Sequence, residues 1–440
     1  MNALNEVVAA SAGDLAAAIR ARRLSSVEVV EAHLRRIDAV NPQVNAVVQV
    51  AAGAARAQAR QADMRLTRDD VIGPLHGVPF TAKDVCDVAG VISAAGLRKR
   101  AGFVPDRDAV VVARMRSAGA ILLGKTNCPP GGGGGETDNR VYGRTRNPYD
   151  FSRTVGGSSG GEAAAIAACM SPIGIGSDSG GSIRVPAHFC GIASLKPTSG
   201  RVPATGILNH PGGLSDYRTQ VGPMARYVAD LSLAFAIMAG EDGHDSAVIP
   251  MPIRDPASVT LRGLRVAFYD DDGLAEPTAE IAAGVREAAD TLREAGAAVE
   301  ESRPDCIGDS RPITERYWRF AGRHEVDVER LLRDWDAFRS AMLAFVERFD
   351  VILCPVDYRS ATPPDEPAPL RFNYTLPFSL CGWPCVVVRA GTSNDGMPIG
   401  VQVVARSFRE DVALAVARYL ESTLGGWRAP DERARLRRHH

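Results

Sequence analysis

Apolar positions along the chain fall into two patterns, one helical and one strand-like. Ser25-Ser-Val-Glu28 has the spacing of a capping box. The run after it sets Val27, Val30, Leu34 and Ile37 on one face of an amphipathic helix. Residues 109–118 repeat the helical spacing and stop at Gly119, after which Ala120-Ile-Leu-Leu123 predicts a short buried strand. Glu162-Ala-Ala-Ala-Ile-Ala-Ala-Cys169 predicts a helix of small residues able to pack tightly on a sheet. Pro172-Ile-Gly-Ile-Gly-Ser177 and Ile192-Ala-Ser-Leu195 read as strands. Leu264–Phe268, Val351–Cys354, Cys385–Val388 and Gly400–Val404 are further apolar runs bounded by turn residues, and a helix is expected over 408–423. Strands alternating with helices predict an α/β fold around a largely buried sheet. No internal repeat or linker breaks the pattern, so residues 1–440 are expected to form one domain.

Composition narrows the function classes. The 51 basic and 52 acidic side chains leave a formal net charge of −1, so no global field gathers nucleic acid or anionic lipid. Neither partner is expected. The first residues show no cationic segment followed by an apolar core, and no run reaches the about 18 apolar residues of a membrane span. The eight cysteines form no disulfide framework; Cys169, Cys190 and Cys354 sit in apolar surroundings. Cys381 and Cys385 lack a matching Cys or His pair, so no zinc site is expected. These features predict a reduced, cytoplasmic protein. The closing His439-His440 is either native or the remnant of a tag.

The chemistry is concentrated in two stretches, Val155-Gly-Gly-Ser-Ser-Gly-Gly-Glu162 and Gly176-Ser-Asp-Ser-Gly-Gly-Ser-Ile-Arg-Val-Pro186. Glycines allow sharp bends that expose backbone N–H groups, and converging N–H groups make an oxyanion hole. A flexible linker has a similar composition, but Asp178, Arg184 and Pro186 interrupt the pattern and ordered apolar segments flank it. Gly156-Gly-Ser158-Ser-Gly160 also satisfies the G-x-S-x-G elbow, which requires a later acid and histidine. Asp230 with His244, or Asp305 with His324, are available, though neither pair has a recognisable catalytic context. A serine without histidine needs another base. Lys83, in Gly77-Val-Pro-Phe-Thr-Ala-Lys-Asp84, follows a predicted strand among apolar and small residues. It can act only when neutral, so burial must lower its pKa from about 10.4. The competing reading pairs it with Asp84 or Asp87 at the surface.

Taken together, the lysine segment, Gly-Gly-Ser-Ser-Gly-Gly and Gly-Ser-Asp-Ser-Gly-Gly-Ser-Ile-Arg, in this order, resemble the amidase signature family. Gly191-Ile-Ala-Ser-Leu-Lys-Pro-Thr-Ser-Gly-Arg-Val202, Val221-Gly-Pro-Met224 and Gly382-Trp-Pro…Gly396-Met-Pro-Ile-Gly-Val-Gln402 extend the resemblance over nearly the whole chain. The resemblance implies a central mixed sheet covered by helices on both faces, with a catalytic core over about 70–230. It implies a Ser–cis-Ser–Lys triad of Ser182 as nucleophile, Ser158 as proton relay and Lys83 as base, with a cis peptide bond before Ser158. The N–H groups of Ser179, Gly180, Gly181 and Ser182 would form the oxyanion hole. Ser159, Asp178 and Arg184 are expected to support the site, and His188 and Cys190 to pack. No metal or organic cofactor is implied.

Two departures from the family pattern bear on substrate. Ser179 replaces the usual Thr, a mild change because the backbone N–H is what the mechanism uses. Cys128-Pro-Pro-Gly-Gly-Gly-Gly-Gly-Glu136 stands where relatives carry a Pro-Glu-Phe-like segment, and reads either as a roomy lid or as an inert surface loop. The lid reading predicts a wide pocket for bulky, neutral acyl or aryl groups, with Gly132, Gly133, Tyr142, Leu208, Phe372 and Trp383 as candidate walls. The expected activity is hydrolysis of a small-molecule amide, with esters and carbamates (urethanase-type activity) as alternatives, by a monomer or homodimer. The alternative is the glutaminase subunit of a tRNA-dependent amidotransferase.

Overall fold

A computed structural model describes residues 3–68, 70–208 and 216–431; the terminal His439-His440 pair lies outside them. Eleven strands among the described residues form one sheet. They are β1 (Val47–Val50), β2 (Pro79–Lys83), β3 (Ile121–Thr126), β4 (Ile173–Asp178), β5 (Ala193–Lys196) and β6 (Gln220–Ala225). Then come β7 (Arg265–Phe268), β8 (Ala298–Glu301), β9 (Val351–Pro355), β10 (Cys385–Thr392) and β11 (Pro398–Ala405). Their order is β1-β3-β2-β4-β6-β5-β10-β11-β9-β7-β8. β2 runs parallel to β3 and β4, and β7 runs parallel to β8 and β9; the remaining pairs are antiparallel. The sheet is therefore mixed.

Helices cover both faces. They are α1 (Ala3–Ala9), α2 (Ala12–Arg20), α3 (Ser26–Val44), α4 (Ala52–Thr67), α5 (Val110–Ser117), α6 (Gly160–Ala167) and α7 (Arg184–Cys190). The second half adds α8 (Val228–Met238), α9 (Ala279–Glu294), α10 (Ser310–Ala321), α11 (Val328–Val346), α12 (Leu376–Cys381) and α13 (Glu410–Leu424). Strand alternation divides the core. Leu122, Ile175, Val386 and Val388 face a cluster with Leu15, Met115, Leu231, Phe235, Val285 and Leu414. Ile121, Leu123 and Val387 point the other way, to Val30, Leu34, Ile37, Ala164 and Phe189. A third cluster joins Ala267, Ile352, Cys354 and Val404 to Tyr317, Trp335 and Phe378. This is the expected α/β architecture.

Local signals explain the elements that position the site. α3 opens on the predicted capping box, Ser25 and Glu28 bonding each other's backbone N–H. α6 is entirely buried, and a Cβ on Gly161 would stand 2.4 Å from the Asn127 nitrogen. Glycine there lets the helix begin against the chain leaving β3. β3 runs beyond the predicted Leu123 because Gly124, Lys125 and Thr126 pair with strands on both sides. The last helix begins at Glu410 rather than 408, since Phe408 has a left-handed φ of 62° and Arg409 is non-helical. Among the described residues no helix is long and apolar enough to cross a membrane.

Candidate active site

Three chain segments converge at the carboxyl ends of β2 and β4. Lys83 is the last residue of β2, opposite Thr126 of β3, and is fully buried. Ser158 lies in the turn before α6, behind a cis Gly157–Ser158 peptide bond. Ser182 lies in the turn between β4 and α7 and is partly exposed. Lys83 Nζ donates to Ser158 Oγ at 2.6 Å and to Ser177 Oγ at 2.9 Å. Ser159 ties the two serine loops together. Its N–H donates to Ser182 O at 3.0 Å, and its hydroxyl bridges the backbone of Ser177. No direct Ser182–Ser158 hydrogen bond is present among the described residues.

Burial lowers the Lys83 pKa to about 8, against the opposing charges of Asp178 and Glu162. Glu162 is itself buried; that burial raises its carboxyl to about 7, while the hydroxyls of Thr81 and Thr126 donate to it. Asp178 and Arg184 form a fully buried ion pair at 3.0 Å. Burial pushes the Asp178 carboxyl up, but the charge and hydrogen bonds of Arg184, the Lys196 charge and the Ile183 N–H together outweigh it, and the pKa falls to about 2. Arg184 also reaches Thr375 O, Gln402 Oε1 and Ser379 Oγ. The pair thus anchors the nucleophile-bearing turn to α12 and β11.

That anchoring corrects one expectation. The Gly181 N–H donates to Asp178 Oδ1 at 2.8 Å, so it holds the turn rather than standing open to an oxyanion. The N–H groups of Ser179, Gly180 and Ser182 have no acceptor among the described residues, and all three residues line a cavity of about 760 Å³. Its other walls are the glycine run Pro130–Glu136, the segment around Ala368–Phe372, and α10 through Trp318. Gly132, Gly133 and Phe372 line it, and a Cβ on either Gly135 or Gly181 would meet the Phe372 ring.

Tyr142, Leu208 and Trp383 are not among the cavity walls. Tyr142 takes a hydrogen bond from Gln49 on its hydroxyl at 3.1 Å. Leu208 N bonds Val85 O, and its side chain packs on the core. Trp383 is buried against Phe378 with ring centroids 6.5 Å apart. Part of the cavity wall lies beyond the expected core over 70–230. His188 and Cys190 pack as expected; burial lowers the His188 imidazole to about 4, and Gly400 N donates to its Nδ1. The elbow alternative is not assembled. Asp230 accepts the N–H groups that open α2, and His244 and His324 are exposed. Ser177 was missed by sequence reasoning; its only signal is its place one residue before Asp178 in the strand that ends at the loop.

The Amidase family model matches residues 28–327 and 323–414. The chain belongs to the amidase signature family. An acylamidase of Rhodococcus erythropolis is 34% identical over 94% of this chain and 95% of its own. The A subunit of the glutamyl-tRNA(Gln) amidotransferase of Chloroflexus aggregans is 35% identical over 91% of this chain and 93% of its own. The crystal structure of a bacterial aryl acylamidase of the same family superposes with a TM-score of 0.85 at 26% identity, covering 94% of this chain and 96% of that one. Amidase signature membership makes the protein an enzyme that hydrolyses carbon–nitrogen bonds.

Proposed function

We propose that the protein is a stand-alone amidohydrolase in which Ser182 attacks neutral, bulky or aryl amides, with Ser158 as relay and Lys83 as base. The observation that carries this reading is the 2.6 Å contact between Lys83 Nζ and Ser158 Oγ beside the Ser182 turn. Ser182 Oγ bonds to the acyl carbon while its proton passes through Ser158 to neutral Lys83. The Ser182–Ser158 contact closes when substrate binds, as catalytic hydrogen bonds commonly do. The N–H groups of Ser179, Gly180 and Ser182 take the oxyanion. Collapse breaks the C–N bond, and the proton on Lys83 returns through Ser158 to the leaving amine. Water then attacks the ester, gives up a proton along the same path, and releases the acid with Ser182 restored. The cycle calls on no metal or organic cofactor.

The cavity supports a neutral substrate. Arg311 pairs with Glu315, Arg371 with Glu136 and Arg359 with Glu366, so the charged side chains that line it are already matched. Esters and carbamates pass through similar tetrahedral intermediates and are included in the proposal. The second reading, a glutaminase that works only with partner proteins, is favoured by the likeness to the tRNA-dependent amidotransferase of Chloroflexus aggregans. It needs anchors for the ammonium and carboxylate of glutamine, and the same ion pairs weigh against it.

Aniline release from a neutral aryl anilide and from the matching carbamate, with wild type and Ser182→Ala, tests the proposal. Turnover lost in the variant is expected, and the anilide-to-carbamate ratio ranks the leaving groups. Activity on neither, with glutamine hydrolysed only when partner proteins are supplied, would transfer the case to the second reading.

A further inference from the structure

Arg218 is fully buried, and its Nε, Nη1 and Nη2 atoms have no hydrogen-bond partner among the described residues. Its guanidinium lies 4.8 Å from the ring centre of Tyr317 and 5.6 Å from that of Trp318. Nη2 stands 3.8 Å from the place a Cβ on Gly180 would occupy. Gly180 in turn lines the cavity beside Ser182. Burial lowers the Arg218 pKa to about 10, which leaves the group charged at neutral pH. Two carboxylates attract it from a distance, and neither binds it. Asp178 is taken by Arg184 and the turn's own N–H groups, while Asp216 accepts from Thr219 and from the Tyr317 hydroxyl. A buried cation without a partner is costly, and the two rings offset only part of that cost. The position supplies something in exchange: positive potential directly behind the nucleophile turn, where water does not screen it.

We propose that Arg218 is a positioning residue for acyl transfer, its charge acting through the Gly180 peptide to favour the oxyanion that forms on the cavity side of the turn. The inference rests on reading Ser182 as nucleophile and the Ser179–Ser182 turn as oxyanion hole. It adds no covalent step; it concerns the field in which the tetrahedral intermediate forms.

The full-length variants Arg218→Met and Arg218→Lys test it, with anilide turnover and with phenylboronic acid, which adds to a serine as an anionic tetrahedral adduct. Arg218→Met is expected to lower kcat about tenfold or more with KM within about twofold, and to weaken phenylboronic acid by a similar factor. Arg218→Lys should restore most of both near neutral pH. It should also lose kcat on the alkaline side, because a buried lysine sheds its proton where arginine keeps it. Unchanged kcat and boronate affinity in Arg218→Met overturn the inference. So does an Arg218→Lys enzyme as impaired as Arg218→Met at every pH, which would mean that shape matters and charge does not. Should Arg218→Met fail to fold, the pH profile of Arg218→Lys decides alone: alkaline loss supports the charge, and a profile parallel to wild type overturns it. Ser182→Ala is run alongside. If it retains turnover, the nucleophile reading itself fails; if it is inert, the Arg218 results bear on this inference alone.

Discussion

Lys83 donates to Ser158 at 2.6 Å and to Ser177 at 2.9 Å, so both of its hydrogen-bond partners among the described residues are hydroxyls. A lysine buried without a carboxylate in contact is cheap to neutralise. That is what a base at this position requires.

The pH dependence follows. Burial brings Lys83 down to about 8, and only the neutral amine accepts a proton. kcat/KM should therefore rise with pH to a midpoint near 8 and level off above it. A pH–rate profile on the anilide checks this, and a flat profile across that midpoint counts against Lys83 as base. Stability moves in a related way. The folded pKa is about 8 against an ordinary lysine value of 10.5, so between these values the unfolded chain binds a proton that the folded chain does not. The burial cost is full below about 8 and fades as pH rises toward 10.5. Lys83→Met should lose activity by roughly a thousandfold yet melt higher than wild type at pH 7. The advantage should shrink in alkaline buffer, as thermal melts at several pH values would show.

Ser177 gives a separate prediction. Its hydroxyl fixes the Lys83 amine and, as an acceptor, favours the ammonium. Ser177→Ala should lower kcat about tenfold, the worth of one hydrogen bond near a charge, with KM little changed. The midpoint of the pH profile should move toward acid, because an acceptor that stabilised the ammonium is gone. A side chain present only for packing would leave that midpoint in place.

Asp178 is expected to matter through architecture. In Asp178→Asn the buried Arg184 keeps Thr375 O, Gln402 and Ser379 but loses its counter-charge. Urea unfolding should show a loss of about 3–5 kcal/mol, the usual cost of breaking a buried pair. The carboxyl pKa is lowered from 3.8 to about 2, so its contribution is full above 3.8 and disappears as pH falls through about 2. Equal stability of wild type and Asp178→Asn at neutral pH would remove the anchoring role.

The legible parts of the sequence were those where chemistry and packing coincide. Apolar runs such as Val351–Cys354 and Cys385–Val388 lie in the buried middle of the sheet, so hydrophobicity alone marked them. β8 is a half-solvated edge strand, Ala-Val-Glu-Glu, with no apolar alternation to find. β6 runs between β4 and β5 yet carries Gly222 and Pro223, which read locally as a turn. The serines and the lysine were visible because glycine-rich turns leave few other reasons for their spacing. Pocket walls were not, since an aromatic residue looks the same whether it faces a cavity, as Phe372 does, or a core, as Trp383 does. Arg218 escaped for a related reason: its lack of a partner is a property of three dimensions.

The glycine run offers the sharpest test of substrate size, because its members are not equivalent. Gly132 has φ 75°, and a Cβ there would come within 2.8 Å of Val85, so a side chain at Gly132 strains the fold. Gly133 has an extended backbone, φ −105° and ψ 126°, that any residue adopts, and a Cβ there meets nothing within 4 Å. Gly133 also lines the cavity beside the Ser182 turn. Gly133→Leu should fold with wild-type stability and fill part of the cavity. kcat/KM for a bulky anilide should fall about tenfold or more while a small aliphatic amide is hydrolysed as before, since overpacking a site costs about 1–3 kcal/mol. Gly132→Leu should instead lower the melting temperature and depress activity on both substrates together. Equal losses for large and small amides in Gly133→Leu would mean that the run shapes the fold and leaves substrate choice to other walls.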